Sequence, residues 1–197
     1  MFDELDALKR DLEKRRIALN PPLSEAQIEE VEQRFGFRVP EEYRQFLLRV
    51  GDGASNHSSP LFKFGEMDDN STGFMPWEKS LLDPSKPFPH PDGWNETNEE
   101  IEQLEEDDDL SPELEERYEQ VFEEWFESYC APEHIRGTIP VADLGCAVRH
   151  ILVVNGPQAG TVFEDDRGNR GGIEPLLSPD GSRLTFLAWI RRQTGIR

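Results

Sequence analysis

The chain has 197 residues, of which 36% are apolar and 31% charged, and its formal net charge is −20. Twelve Phe, four Trp and three Tyr supply core material for one folded domain, which excludes a disordered chain. The negative charge excludes direct nucleic-acid binding and attraction to anionic membranes, because both present phosphate.

The opening run MFDELDALKR is charged and lacks the apolar centre of a secretory leader. The chain is therefore expected in the cytoplasm, with Cys130 and Cys146 reduced. Leu5, Leu8 and Leu12 recur at helical spacing behind Asp3 as cap, and Asn20-Pro21-Pro22 stops the run. Ser24 with Gln27 predicts a capping box, Leu23 with Ile28 a hydrophobic staple, and Gly36 the end of a second helix. Pro40, Glu41 and Glu42 open a third, whose Tyr43, Phe46, Leu47 and Val50 share one face before Gly51-Asp52-Gly53.

Residues 61–64 read as a short strand, and 66–98, rich in Pro, Gly, Asn and Asp, as a loop anchored by Trp77, Phe88 and Trp94. The whole insertion is expected to run over 66–110. Within it the charge concentrates: residues 96–127 hold sixteen acidic side chains against Arg117 alone, while the rest of the chain holds 25 acidic and 20 basic. The stretch 96–109 reads as a short helix and then a solvated turn. An acidic amphipathic helix follows over 111–130, opened by Ser111-Pro112. Its Leu114, Tyr118, Val121, Phe122, Trp125, Phe126 and Tyr129 form an aromatic stripe directed at the core. Strands follow at 138–142, 147–154 and 161–164, joined by short Gly-containing loops that imply antiparallel pairing. A closing helix over 183–193 carries Leu187, Trp189 and Ile190. The expected fold is α+β: N-terminal helices and a C-terminal helix packed on an antiparallel sheet, with a long acidic helical insertion, in one domain over 1–197.

The run from Leu23-Ser24-Glu25 to Val39-Pro40-Glu41-Glu42-Tyr43-Arg44-Gln45-Phe46-Leu47-Leu48 resembles the opening signature of the SUKH superfamily, in the branch named for the fungal Smi/Knr cell-wall assembly regulators. The resemblance continues at Ile139-Pro140-Val141-Ala142-Asp143, at Gly145-Cys146, at Phe163-Glu164-Asp165-Asp166-Arg167 and at Phe186-Leu187-Ala188-Trp189-Ile190. It covers about 23–65 and 137–192 and leaves out 66–136. It implies helices packed on an antiparallel sheet, and a binder without a shared catalytic centre. Bacterial members of this type neutralise polymorphic toxins as immunity proteins.

The chemistry of single residues adds no enzyme signature. His57, His90, His134 and His150 have no metal-ligand spacing, and no motif for a cofactor, phosphate or nucleophile is present. A dyad of Cys146 and His150 lacks an orienting third group. Glu115, Glu119, Glu123 and Glu127 stand at successive i, i+4 positions, and each like-charge pair is unfavourable by roughly 0.2–0.5 kcal/mol. Two readings stand. Either buried aromatics outweigh the penalty and the carboxylates only meet water, or the ladder meets a basic partner. On the second reading Asp107, Asp108 and Asp109 extend the surface. Trp77 and Trp94 are then candidate contact aromatics, each serving equally well as a loop anchor. The expectation is a non-enzymatic immunity protein that binds a basic toxin domain, such as a nuclease, without cofactor or metal. The alternative is a regulatory or scaffold protein of the same fold.

Overall fold

In the computed structural model the Ser24 N–H donates to Gln27 Oε1 at 2.9 Å and the Gln27 N–H to Ser24 Oγ at 3.3 Å, so the capping box forms where its spacing requires. The structure describes residues 2–54, 61–68, 74–77, 80, 82–106 and 111–196. Three helices open it, α1 (Phe2–Lys14), α2 (Glu25–Phe35) and α3 (Glu41–Arg49). Gly36 ends α2 in the left-handed conformation, φ 69°, with its N–H on the Glu32 carbonyl at 2.8 Å. A two-stranded ribbon follows, β1 (Glu66–Asp68) and β2 (Phe74–Pro76), then α4 (Glu99–Glu105) and α5 (Pro112–Tyr129). Strands β3 (Thr138–Gly145), β4 (Val148–Val153), β5 (Val162–Asp165) and β6 (Ile173–Pro175) form an antiparallel sheet in that order, and α6 (Phe186–Gln193) closes the chain.

Register decides what each face of the sheet carries. Ile139 pairs with Leu152 and Leu152 with Val162, so these three share the face that meets the helices. There they join Leu5, Leu8 and Leu12 of α1, Tyr43, Phe46 and Leu47 of α3, and Phe186, Leu187, Trp189 and Ile190 of α6. Phe186 lies 4.5 Å from Tyr43 and 5.1 Å from Phe46 between ring centroids, locking α6 onto α3. Each such side chain contributes roughly 1.5–3 kcal/mol by leaving water.

Glu32 and His150 are among the polar groups built into this core. The Glu32 carboxylate, in a residue 2% exposed, accepts from the Val39 N–H (2.8 Å), Arg44 (2.9 Å) and Arg38 (2.9 Å). Burial pushes its pKa upward, but these donors outweigh it and hold the carboxyl below its ordinary range. His150, also buried, accepts the indole N–H of Trp189 on Nδ1 at 3.0 Å. An indole nitrogen only donates, so the proton of neutral His150 sits on Nε2, which faces Glu164 at 3.4 Å.

Ile151, Val153, Phe163 and Ile173 point to the other face, where the insertion covers them. Phe88 packs edge-on against Phe163 at 5.0 Å, and the Phe88 N–H reaches the Asn155 carbonyl at 2.9 Å. Gly137 permits this crossing, since with φ 74° a Cβ there would stand 2.4 Å from both Lys86 O and Phe88 N. Trp94 exchanges two 2.7 Å backbone hydrogen bonds with Ile173, which extends the sheet beyond β6.

Several expectations need correction. The stretch 61–64 is no strand: Leu61 makes single bridges to Ala54 and Ala142. The segment 66–98, expected as a loop, contains the β1–β2 ribbon, whereas the short helix expected within 96–109 is present as α4. Strand β6 went unexpected because three residues are too short to show alternation. Helix α6 begins at Phe186, not 183, because Arg183 and Thr185 are held in bridges to Leu177 and Thr161. The α5 stripe enters the core only in part: Val121 and Tyr129 are buried, Tyr118, Phe122, Trp125 and Phe126 are half-buried, and Leu114 is exposed.

Candidate functional site

Ser111 caps α5 by accepting the Leu114 N–H at 3.4 Å, and Pro112 occupies the first turn, where its missing N–H costs nothing. One flank of α5 rests on α4. Arg117 makes a bidentate pair with Glu100 at 2.8 and 3.2 Å, and the Tyr118 hydroxyl donates to Glu105 at 2.9 Å. Arg170 reaches the same Glu105 oxygen at 2.8 Å while its guanidinium stands 6.0 Å over the Phe122 ring. Hydrogen bonds from Arg170 and Tyr118 hold the Glu105 carboxyl below its ordinary range.

The C-terminal end is tied to the sheet. Trp94 stacks on His134 at 3.9 Å and lies 4.9 Å from Tyr129, which lies 4.7 Å from Trp125. The Tyr129 hydroxyl donates to Asn95 at 2.5 Å. Just past the helix, Arg167 donates to the Ala131 carbonyl at 2.8 Å and makes a buried bidentate pair with Asp165 at 2.7 and 3.0 Å. His90 and His134 share a 3.0 Å hydrogen bond beside this anchor. Burial, then the charges of His134, Arg167 and Arg136, push His90 down to about 4. Burial and Arg167 lower His134 as well.

The opposite side of α5 meets solvent. Glu115, Glu119, Glu123 and Glu127 are all exposed, as are Glu113, Glu116 and Glu124. At about 100° per residue the ladder sweeps roughly 120° around the helix, so it forms a continuous band. Among the described residues no Lys, Arg or His stands within ion-pair distance of the four ladder carboxylates. Beside the band, Phe122 and Phe126 stack at 5.4 Å, both half-buried; Leu114, about 100° around the helix from Glu115, is 40% exposed. Trp125 Nε1 is a buried nitrogen without a hydrogen-bond partner among the described residues, next to a cavity of about 260 Å³ bordered by Asn95, Glu102, Glu105 and Arg170.

The other residues named from the sequence fall differently. Asp107, Asp108 and Asp109 lie outside the described residues. Trp77 is 1% exposed, packs edge-on against Phe35 (5.5 Å) and Phe64 (5.2 Å), and donates its indole N–H to the Glu66 carbonyl at 2.9 Å. It is an anchor of the core and is withdrawn from the contact surface. Trp94 is half-buried in the stack that ends α5. The two nitrogens of His150 are taken by Trp189 and Glu164, which leaves neither to activate Cys146. Sequence reasoning passed over Arg167 and Arg170 as loop residues. The signal available for Arg167 was its position after Asp165-Asp166, where a buried carboxylate needs a cation; Arg170, whose partner Glu105 lies 65 residues away, carried none.

Helices on one face of a four-stranded antiparallel sheet, and an acidic helix pair tied to the other, define an α+β domain whose most distinctive chemistry lies on its surface. The chain belongs to the SMI1/KNR4 family (SUKH-1), whose model matches residues 22–170. The match runs through 66–136, which the segment-by-segment resemblance left out, and stops before α6. The family includes immunity proteins. No curated protein and no solved structure matches the chain. Among the described residues no helix is long and apolar enough to cross a membrane.

Proposed function

We propose that this chain is a non-enzymatic protein-binding module of the immunity type, acting in the cytoplasm, and that the outer face of α5 receives a basic toxin domain. One observation carries the reading: Glu115, Glu119, Glu123 and Glu127 are exposed and have no ion-pair partner among the described residues, while Arg117 and Arg170 on the inner flank are already engaged by Glu100 and Glu105. A helix shaped for stability alone would place Lys or Arg in some of those positions. Unpaired carboxylates speed encounter with a cationic surface and select it. Phe122 and Phe126 beside them supply apolar area that a partner would dry. Binding over a toxin's cleft would block it by occlusion, with no reaction on this chain.

The test is calorimetry of the full chain against toxin domains encoded beside its gene. Affinity falls with rising salt, and falls at least tenfold when Glu115, Glu119 and Glu123 are reversed to Lys. Binding that ignores both salt and the triple reversal removes α5 as the contact. A nearby partner with no toxin activity would favour the regulatory alternative.

A further inference from the structure

Residues 181–196 contain Arg183, Arg191 and Arg192 and no Asp or Glu, in a chain whose net charge is −20. They form the return arm of a hairpin, bridged between Leu177 and Arg183, and then α6. Between this hairpin and the outer side of α6 runs an apolar groove of about 720 Å³. Buried Leu184 and Ile196 form its floor, and exposed Leu177, Pro179 and Ala188 its sides. Leu177 is 46% exposed; among the described residues only Leu114 on α5 is a comparably exposed large hydrophobic side chain.

The rim of the groove is cationic. Arg192 donates to the Leu177 carbonyl at 2.8 Å, and among the described residues no carboxylate stands within ion-pair distance of it. Arg191 shares Glu4 at 3.4 Å, and Arg15 donates to the Gly195 carbonyl at 2.6 Å. The carboxylate of the hairpin, Asp180, is drawn into its own turn by the Ser182 N–H (3.0 Å) and Ser182 Oγ (2.7 Å).

We propose that this groove is a second docking surface, separate from α5, and that its occupant is an acidic, aliphatic segment of a partner protein. Aliphatic side chains of such a segment cover Leu177, Pro179 and Ala188, which water now touches, above the floor of Leu184 and Ile196. Its carboxylates meet Arg192 and Arg191, whose planar forks favour bidentate pairing. A basic segment would instead place cations against the guanidinium groups of Arg192 and Arg191. The overall charge of the molecule argues the other way, favouring basic ligands everywhere, so the preference of this groove is a discriminating observable.

The experiment is a methyl NMR titration of the full chain with two 12-residue amphipathic peptides, one repeating Glu-Leu-Leu-Glu-Glu-Leu and one with Lys for Glu. The Glu peptide shifts the methyls of Leu177, Leu184 and Ile196, and raised salt weakens it. The Lys peptide leaves those methyls unmoved whether or not it binds α5, and Glu119→Lys leaves the Glu-peptide titration unchanged. Leu177→Asp weakens the Glu peptide about tenfold, because a large apolar side chain no longer packs against it. Arg192→Glu weakens it and flattens its salt dependence. Both positions are accessible at the surface, and circular dichroism checks that the variants fold. The inference is overturned if both variants bind the Glu peptide like the parent or if the Lys peptide moves the same methyls. It is overturned equally if sedimentation shows a second copy of the chain occupying the groove.

Discussion

On the helical face of the sheet, Phe46, Phe186 and Trp189 are buried, and the charged Glu32 there has a donor for each carboxylate oxygen. On α5, Phe122, Trp125 and Phe126 stay half-buried, an indole N–H lacks a partner, and four glutamates have no counter-charge among the described residues. The two regions use the same residue types. They differ in what surrounds them: α1, α2, α3 and α6 share one continuous core with the sheet, whereas α5 leans on the seven-residue α4 and is tied down chiefly at its C-terminal end. A region saturated with internal partners has its free energy committed to folding. A region whose groups lack internal partners keeps free energy available for binding.

Four measurements bear on that contrast. Phe46→Ala has the largest effect, costing about 3–5 kcal/mol by leaving a cavity between α3 and α6, and urea melts should show one cooperative shift of the whole domain. Separate transitions would mean that α5 is a folding unit of its own. Arg167→Met comes next, at about 3 kcal/mol, because Asp165 is left buried and unpaired. Hydrogen exchange should quicken in α5 well beyond its change in α3, since the Ala131 carbonyl also loses its donor. Uniform quickening would deny that this pair is the anchor.

The third measurement is of pH. Burial, then the charge of Arg192, pushes His150 down to about 4, against about 6.5 in an unfolded chain. Between those values the unfolded state binds more protons, so stability falls as pH drops from about 6.5 and levels below about 4. At pH 4.5 the loss from His150 is roughly 2–3 kcal/mol. His90 and His134 act in the same direction, while Asp52 and Glu164, raised chiefly by burial, oppose them. Comparison with His150→Gln, which keeps an acceptor for Trp189, isolates the contribution. Equal slopes in urea midpoint against pH for the two proteins would show that His150 contributes nothing to the pH dependence of stability.

The smallest effect belongs to α5. Glu119→Lys turns two repulsive i, i+4 pairs into attractive ones and should stabilise the protein by up to about 1 kcal/mol. A clear loss of stability would reveal a structural partner for Glu119 and erase the distinction between the two regions.

Much of the helical half was legible in the sequence. Ser24, Gln27 and Gly36 act through bonds a few residues away, and the stripes of α1 and α3 report burial directly because one helix face meets one core. The same reasoning misdirected the α5 stripe, because periodicity says which side chains share a face and not how completely that face is covered. Trp77 and Trp94 looked equivalent in a Pro-rich stretch, yet one is sealed against Phe35 and Phe64 and the other caps the end of α5.

The α+β class, the start and stop of α2, the start of α5, the antiparallel pairing of β3, β4 and β5, and the concentration of acid over 96–127 can all be read along the chain. They follow from hydrogen bonds and side-chain spacing that are local in sequence. Three-dimensional packing was needed to join Arg167 and Asp165 to the end of α5, to engage Arg117 and Arg170, and to bring Leu177, Ile196 and Arg192 to one groove. Counter-charges and apolar covers are found through space, and residues far apart in sequence supply them.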